Sequence, residues 1–155
     1  EVDDPIHTIP ILTLLYSTEY YKDLKKNISF LKPFYVSFMW TFATIILPSV
    51  LYEHNYDILF DVRDYIPCML LLFASTNLAD INDIKEDKMN KIETFPILFG
   101  EENTYKIMLG SIALSSFLFG IHPNYLQRPI VNSLFELQNI VLSTIIYFKI
   151  QNNRY

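Results

Sequence analysis

Long apolar stretches separated by short charged stretches dominate this chain. Four of them, at about residues 34–52, 66–79, 105–121 and 130–150, reach or approach the length of a membrane-spanning helix, for which roughly 20 residues cross a ~30 Å hydrocarbon core. The second is short, so we expect it to continue into the acidic segment that follows or to lie tilted among its neighbours. A fifth stretch, residues 6–16, is too short to span. The pattern predicts an all-α fold, a multi-spanning transmembrane helical bundle in which residues 1–155 form a single membrane domain.

The fourth apolar stretch carries four polar residues: Asn132, Glu136, Gln138 and Asn139. Lipid offers such side chains no hydrogen bonds, so they require a protein partner or a wet cavity. Glu136 and Asn139 are three residues apart and share one helix face. We therefore expect both to face protein. Glu136 is a candidate functional residue, and the alternative is a neutral carboxyl hydrogen-bonded to a neighbouring helix.

The basic residues predict an orientation. If the four stretches cross strictly in alternation, ten of the 12 Lys and Arg residues fall on one side and only Arg63 and Arg128 fall on the other. Such an excess marks the inner side of a membrane protein. The expected protein is an integral membrane protein surrounded by lipid, and the sequence leaves the particular membrane open. The ten inner residues are Lys22, Lys25, Lys26, Lys32, Lys85, Lys88, Lys91, Lys106, Lys149 and Arg154.

Composition narrows the classes of function. Apolar residues make up 51% of the chain and charged residues only 19%, a balance typical of membrane proteins rather than soluble ones. Three glycines exclude a glycine-rich phosphate loop. The net charge of −5 and the absence of a basic stripe argue against a nucleic-acid partner. The single cysteine, Cys68, can form neither an internal disulfide nor a cysteine cluster for a metal.

The acidic segment after the second apolar stretch is the strongest chemical signal. Asp80, Asp83 and Asp87 are spaced three and four residues apart, which places three carboxylates on one face of a helix. Their mutual repulsion would be reversed by a bound cation, and Mg²⁺ is commonly held by one or two carboxylates together with substrate phosphates. The spacing thus suggests a metal–diphosphate site at a membrane border. The alternative is a solvated cap at the end of an apolar helix.

Two neighbouring segments give this motif a context. The segment NLADINDIKEDK (residues 77–88) is followed by KIETFPILFG (residues 91–100), and Tyr21 and Lys25 form an upstream Tyr-x-x-x-Lys match. This order resembles the second half of the UbiA superfamily of intramembrane prenyltransferases. In that family a second Asp-x-x-Asp-x-x-x-Asp motif precedes a basic residue and a Thr-Leu-Pro-Val-x-x-Gly-like loop. The resemblance extends over about residues 16–147, and the matching positions are Asp80, Asp83, Asp87, Lys88, Thr94, Pro96 and Gly100.

The resemblance implies a partial UbiA-like fold and a Mg²⁺-dependent reaction. A prenyl group would pass from an isoprenyl diphosphate to an aromatic or tetrapyrrole acceptor. By analogy with the family, Asp80, Asp83 and Asp87 would hold Mg²⁺ against the diphosphate. Asn77, one turn before Asp80, would bind the acceptor or orient Asp80.

The same resemblance implies that basic and aromatic residues contact the diphosphate. Lys25, Lys88 and Lys91 would contact phosphate oxygens, and Tyr21 would face the allylic cation or the diphosphate. Two of these residues have simpler interpretations from the sequence. Lys25 also suits an anchor at the membrane interface, and Tyr21 suits an aromatic belt.

The chain departs from the family in one respect. The family has a first acidic motif in its N-terminal half, and nothing before Asp80 matches it. This chain therefore offers one wall of the site, and a missing N-terminal half or a protein partner would have to supply the other. The chain also opens without an initiator Met or a basic targeting segment, so we expect a removed start or a longer protein. The alternative function is a degenerate, non-catalytic UbiA-like transmembrane subunit of a larger membrane assembly.

Overall fold

The computed structural model of the protein describes residues 29–52, 61–122 and 129–152, and every regular element within these ranges is helical. The predicted residues Tyr21 and Lys25 and the apolar stretch 6–16 lie outside the described residues. Short 3-10 turns at Ser29–Leu31 and Val62–Asp64 precede the first two helices. The helices are α1 (Lys32–Tyr52), α2 (Ile66–Asn82), α3 (Ile84–Met89), α4 (Phe95–Phe99), α5 (Glu101–Gly120) and α6 (Pro129–Asn152).

Proline and glycine set the helix boundaries. Pro33, Pro67 and Pro96 lie in the first turns of α1, α2 and α4, where a missing N–H leaves no intrahelical bond unmade. Gly100 separates α4 from α5 with φ 81°, a left-handed conformation that side chains disfavour. Within α1, a π-helical turn at Phe42–Ile46 lies just before Pro48. Pro48 has no N–H to donate to the preceding turn, so the regular α-helical ladder is interrupted there.

Helix α2 is the centre of the bundle. It packs most extensively on α5 and next on α1, while α6 packs on α5 and touches α2. Polar contacts between helices show how the helices run relative to one another. Lys32 at the start of α1 bonds Asp80 at the end of α2, and Ser115 near the end of α5 donates to the Pro67 carbonyl at the start of α2 (2.6 Å). Each of these pairs of helices is therefore antiparallel.

The two ends of the bundle differ in charge. The end that contains Asp80, here called the Asp80 end, also carries the start of α5 and the end of α6, where Lys149 donates to Asn82 Oδ1 (2.5 Å). Among the described basic residues, Arg63 alone belongs to the opposite end. Those of the Asp80 end are Lys32, Lys85, Lys88, Lys91, Lys106 and Lys149.

One apolar core joins α2, α5 and α6. Because side chains three and four residues apart share a helix face, the core positions of α2 and α5 recur at helical spacing. Its buried members are Leu71, Ala74, Ile81, Tyr105, Met108, Ile112 and Ile146. A smaller cluster of Ile46 and Val50 lies in the second half of α1.

The structure confirms the all-helical prediction and places the four long helices on the four apolar stretches. Helix α2 continues beyond residue 79 into the acidic segment, as its short apolar stretch required. Within the described residues, α1 alone is long and apolar enough by itself to cross a membrane, and only 22% of its most apolar window is buried. Four membrane crossings therefore stay a prediction.

We predict that Met108→Ala lowers the free energy of unfolding by about 2–5 kcal/mol, the range for emptying a core site. Met108 is fully buried between α5 and its neighbours, whereas the preceding Ile107 is exposed. Ile107→Ala is thus the matched control on the same helix and should cost under about 1 kcal/mol. Denaturant titrations of both variants in the same lipid or detergent environment, followed by far-UV circular dichroism, test this. Equal losses for the two variants would contradict the described packing of α5.

Candidate functional site

The site is built around the carboxylate of Asp80 in the last turn of α2. Only 1% of its side chain is exposed, and its Oδ1 accepts a hydrogen bond from Lys32 Nζ at 2.5 Å. Lys32 reaches it from the first residue of α1 and is itself 44% exposed. The second oxygen, Oδ2, is buried and has no hydrogen-bond partner among the described residues. The buried Asp80 carboxylate therefore has Oδ1 hydrogen-bonded to Lys32 and Oδ2 without a partner among the described residues.

The acidic segment does not form a single helix. Helix α2 ends at Asn82, Asp83 lies between helices with ψ near 2°, and α3 begins at Ile84. Asn and Asp favour such helix boundaries because their short polar side chains compete with the helical backbone. The expectation that all three carboxylates share one continuous helical face is therefore wrong at Asp83, although the charges of Asp83 and Asp87 still act on Asp80.

The three carboxylates also differ in exposure. Asp83 is exposed, whereas Asp87 is half-buried and has an Oδ2 that is buried without a partner. Within the described parts of the chain, no group of three His, Cys, Asp or Glu side chains is arranged to hold a metal ion. Asp80 and Asp87 are thus the two members of the motif that each have a buried carboxylate oxygen without a hydrogen-bond partner in the described structure.

Two further buried polar groups lie on α2 and directly before α4. Asn77, one turn before Asp80 on the same face of α2, donates from Nδ2 to the Phe73 carbonyl (2.9 Å) and leaves its Oδ1 unpartnered. Thr94, the extended residue before α4, is 1% exposed and its Oγ1 has no partner in the described structure. Buried polar atoms are normally paired, so each such atom calls for an explanation such as an absent ion or water.

Three phenylalanines hold these elements together. The ring of Phe73 lies 4.7 Å from that of Phe34 in α1 and 5.8 Å from that of Phe95 in α4, between ring centroids. Phe34 and Phe95 are 6.4 Å apart in an edge-to-face arrangement. Such pairs contribute about 0.5–1.5 kcal/mol beyond their buried area. The cluster fixes Thr94 and the start of α1 against the same face of α2 that carries Asn77 and Asp80.

Of the predicted basic residues, Lys25 lies outside the described residues. Lys88 and Lys91 are exposed at the Asp80 end, in α3 and in the turn after it, and Lys91 adopts φ 55°. The residue that does contact the motif, Lys32, was not singled out from the sequence. Its signal was its position, directly before Pro33 at the start of an apolar helix on the basic side.

An ion pair at the opposite end of the bundle shows what is unusual about Asp80. Arg63 donates to both carboxylate oxygens of Asp61, at 2.8 and 2.5 Å, and this hydrogen bonding lowers the pKa of Asp61 to about 2. Both side chains of that pair reach solvent, where such pairs contribute little. The Asp80 carboxylate, in contrast, is out of solvent and depends on its partner.

The polar residues of α6 meet the expectation in part. Asn139 is buried and donates from Nδ2 to Ser116 Oγ in α5 at 2.9 Å, so its predicted orientation toward protein is confirmed. Glu136 is half-buried one turn earlier, and its proposed partner stays a prediction. These residues belong to the α5–α6 contact and not to the acidic motif.

Comparison with known proteins adds no relative. Neither protein-family models, nor curated proteins, nor solved structures gave a match to this chain. The resemblance to the UbiA superfamily therefore stays a prediction from the order of the sequence motifs.

We predict that removing the two partners of the Lys32–Asp80 ion pair has unequal effects. Lys32→Met leaves a buried carboxylate without its cation and should cost about 2–3 kcal/mol, less than for a fully buried pair because Lys32 is 44% exposed. Asp80→Asn leaves a lysine that water can solvate and should cost less. The double variant should recover stability relative to Lys32→Met. Unfolding titrations of the full double-mutant cycle measure the coupling, and a coupling near zero would contradict the ion pair.

Proposed function

We propose that this chain supplies one wall of a Mg²⁺–diphosphate site for UbiA-like prenyl transfer within a membrane. The observation that carries the proposal is the pair of buried, unpartnered carboxylate oxygens on Asp80 and Asp87. Both lie at one end of an apolar helical bundle, where Lys32 is bonded to Asp80. A prenyl diphosphate has one polar and one apolar part, and this end of the bundle offers a polar corner bordered by apolar helices.

Three features support the membrane part of the proposal. Helix α1 has the length and hydropathy of a span. Described lysines concentrate at the Asp80 end, the bias expected of an inner membrane face. Large apolar side chains cover the outer surface of the bundle, far beyond the scattered ones that soluble monomers show. Examples on α1, α5 and α6 are Trp40, Phe117, Ile130, Ile140 and Phe148, each at least 59% exposed.

Hydroxyl groups on that surface suit the same environment. Thr44, Ser111 and Thr144 each donate to the carbonyl four residues earlier in their own helix, at 2.7, 3.0 and 2.7 Å. In hydrocarbon a polar group has no water to bond, so bonding back to its own helix is the available solution. An integral membrane location is therefore part of the proposal.

The proposal requires Asp80 and Asp87 to form only part of a divalent-cation site, because no group of three such side chains in the described parts of the chain could hold a metal by itself. Mg²⁺ accepts oxygen ligands and is usually held by one or two protein carboxylates plus phosphates and water. Asp80 and Asp87 supply two carboxylates with open oxygens, and the exposed Asp83 adds a third charge beside them. When bound, the ion would neutralise the diphosphate as it leaves.

The other residues of the chain have physical roles in this scheme. Lys88 and Lys91 are exposed point charges at the Asp80 end that can approach phosphate oxygens. Asn77 offers a buried amide oxygen one turn deeper, toward an acceptor or toward Asp80. The buried rings of Phe73 and Phe95 pack against Phe34 and give this side an apolar border, which would help to shield an allylic cation from water. Tyr21 and Lys25 keep the roles implied by the resemblance.

A second candidate function is a degenerate, non-catalytic subunit of a membrane assembly. The observation favouring it is that Lys32 already forms an ion pair with Asp80, while Asp83 is exposed. An ancestral metal ligand retained as a structural ion pair would have this geometry. If the intact protein transferred no prenyl group from any prenyl diphosphate, this second function would be favoured.

We predict one membrane side for Lys25 and Lys85 and the other side for Val62. Single cysteines at these positions, in a Cys68→Ala background, should react with a membrane-impermeant maleimide from the sides given by the antiparallel order of α1 and α2. Intact and inverted vesicles expose opposite sides of the membrane to the reagent. Labelling of the Lys85 and Val62 positions from the same side would refute the crossing of α2.

We predict that Asp83→Ala and Asp87→Ala each lower Mg²⁺-dependent prenyl transfer by the intact protein on the order of 100-fold, the scale of removing one preorganised charge contact. Asp83 is exposed and caps no helix with its side chain, so membrane insertion should be unchanged. Glu86→Ala is the matched control, since Glu86 is an exposed acid in α3 outside the motif. Turnover of Asp83→Ala and Asp87→Ala equal to that of the control would eliminate the catalytic interpretation of the motif.

A further inference from the structure

A strip of exposed side chains on α6 follows the seven-residue repeat of a coiled coil. Its members lie four and three residues apart in strict alternation, the spacing of the positions through which one helix packs along another. Every member is exposed, and the apolar ones are 42–60% exposed. We call this strip the α6 seam, and its members are Leu134, Gln138, Val141, Ile145, Phe148 and Asn152.

Gln138 is the polar residue within the apolar part of the seam. Its side chain forms no hydrogen bond with the described residues. Neighbouring polar residues differ from it: Asn139 donates to Ser116 in α5, and the exposed Thr144 donates to the carbonyl four residues earlier. In hydrocarbon a polar group without a partner is costly, because lipid tails neither donate nor accept hydrogen bonds. In a membrane, Gln138 therefore requires a partner from outside this bundle.

We propose that the α6 seam packs against the same seam of a second copy of this protein, as a parallel pair around a two-fold axis. Helix α6 has 24 residues, and at ~1.5 Å per residue it is long enough to cross a ~30 Å hydrocarbon core. The inference rests on the membrane location within the proposed function. It does not depend on the diphosphate half-site.

The chemistry of the glutamine amide favours a second copy over other occupants. An amide carries both a donor and an acceptor, so two copies of Gln138 can each donate to the other's Oε1. Copies inserted in the same orientation place this residue at the same depth, and a two-fold axis brings the same residue from each copy together. A single polar residue at a core position of the heptad repeat also fixes register and the number of helices.

The bundle leaves the seam available without any rearrangement. The buried side chains of α6 recur seven residues apart at Asn132, Asn139 and Ile146, on another side of the helix from the seam. The end of α6 is held to α2 by the hydrogen bond from Lys149 to Asn82. Helix α6 is thus attached to its own bundle through one side while the seam stays exposed.

Counting fluorophores per particle in sparsely loaded lipid vesicles measures the dimer fraction of the intact protein over a dilution series. The wild type should form dimers and no larger species. Gln138→Leu should weaken dimerisation about tenfold, equivalent to about 1.4 kcal/mol, on the scale of polar contacts between membrane helices. Gln138→Asn keeps the amide and should retain more of the dimer. A wild type that is monomeric at every dilution, as expected if lipid alone covers the seam, would overturn the proposal.

Thr144→Val is the matched control on the same helix. Thr144 is exposed, but its hydroxyl already bonds within α6, so this variant should dimerise as the wild type does. Equal dimerisation of Gln138→Leu and Thr144→Val would remove Gln138 from the contact and overturn the proposal.

Disulfide formation locates the contact without changing Gln138. In a Cys68→Ala background, Val141→Cys and Ile145→Cys should each cross-link two copies, since a disulfide needs Cβ atoms roughly 4 Å apart. Ile140→Cys is 62% exposed but lies outside the seam, and it should not cross-link. Equal cross-linking at residues 140 and 141 would overturn the seam. In native membranes, a product whose mass is not twice that of the intact protein would assign the seam to a different partner and overturn the proposal.

A failure of the seam can be told apart from a failure of the membrane location. Ile140→Cys lies in the apolar part of α6, so it should resist a membrane-impermeant maleimide from both sides. Resistance to the reagent in a protein that does not dimerise would reject the seam and keep the membrane location. Rapid labelling would reject both.

Discussion

The burial of one carboxylate governs how this bundle is arranged. Asp80 lies in the last turn of the central helix with 1% of its side chain exposed. Taking an unpaired charge out of water costs several kcal/mol, so a cation has to stand beside it. Lys32 provides that cation from the first residue of α1. The start of α1 and the end of α2 must consequently meet, and this requirement agrees with their antiparallel packing.

Around this pair the helices separate polar from apolar groups by position along the bundle. The Asp80 end collects the acidic motif, all six described lysines and the unpartnered oxygens of Asn77 and Thr94. Phenylalanine packing between α1, α2 and α4 closes the adjoining side. The remaining length of the bundle is mainly apolar, its buried Ser115 and Asn139 are hydrogen-bonded between helices, and its exposed hydroxyls bond to their own helices. A polar corner bordered by apolar helices suits a ligand with a charged head and a hydrocarbon tail.

The sequence predicted the helices well because hydropathy and proline carry most of that information. The four long helices coincide with the four apolar stretches, and Pro33 and Pro67 mark the starts of two of them. The site was harder to predict. Motif spacing assumed one helix through Asp87, whereas the local preference of Asn82 and Asp83 for a helix boundary divides it. Lys32 was missed because its partner is 48 positions away, and pairings across helices are invisible to a local pattern.

The most direct test of the account is the position of a non-hydrolysable diphosphate analogue in the intact protein with Mg²⁺. A structure in lipid nanodiscs would show it. The account predicts that the analogue binds at the Asp80 end of the bundle, beside the Asp80 and Asp87 carboxylates. A structure in which the analogue binds away from both carboxylates would contradict it.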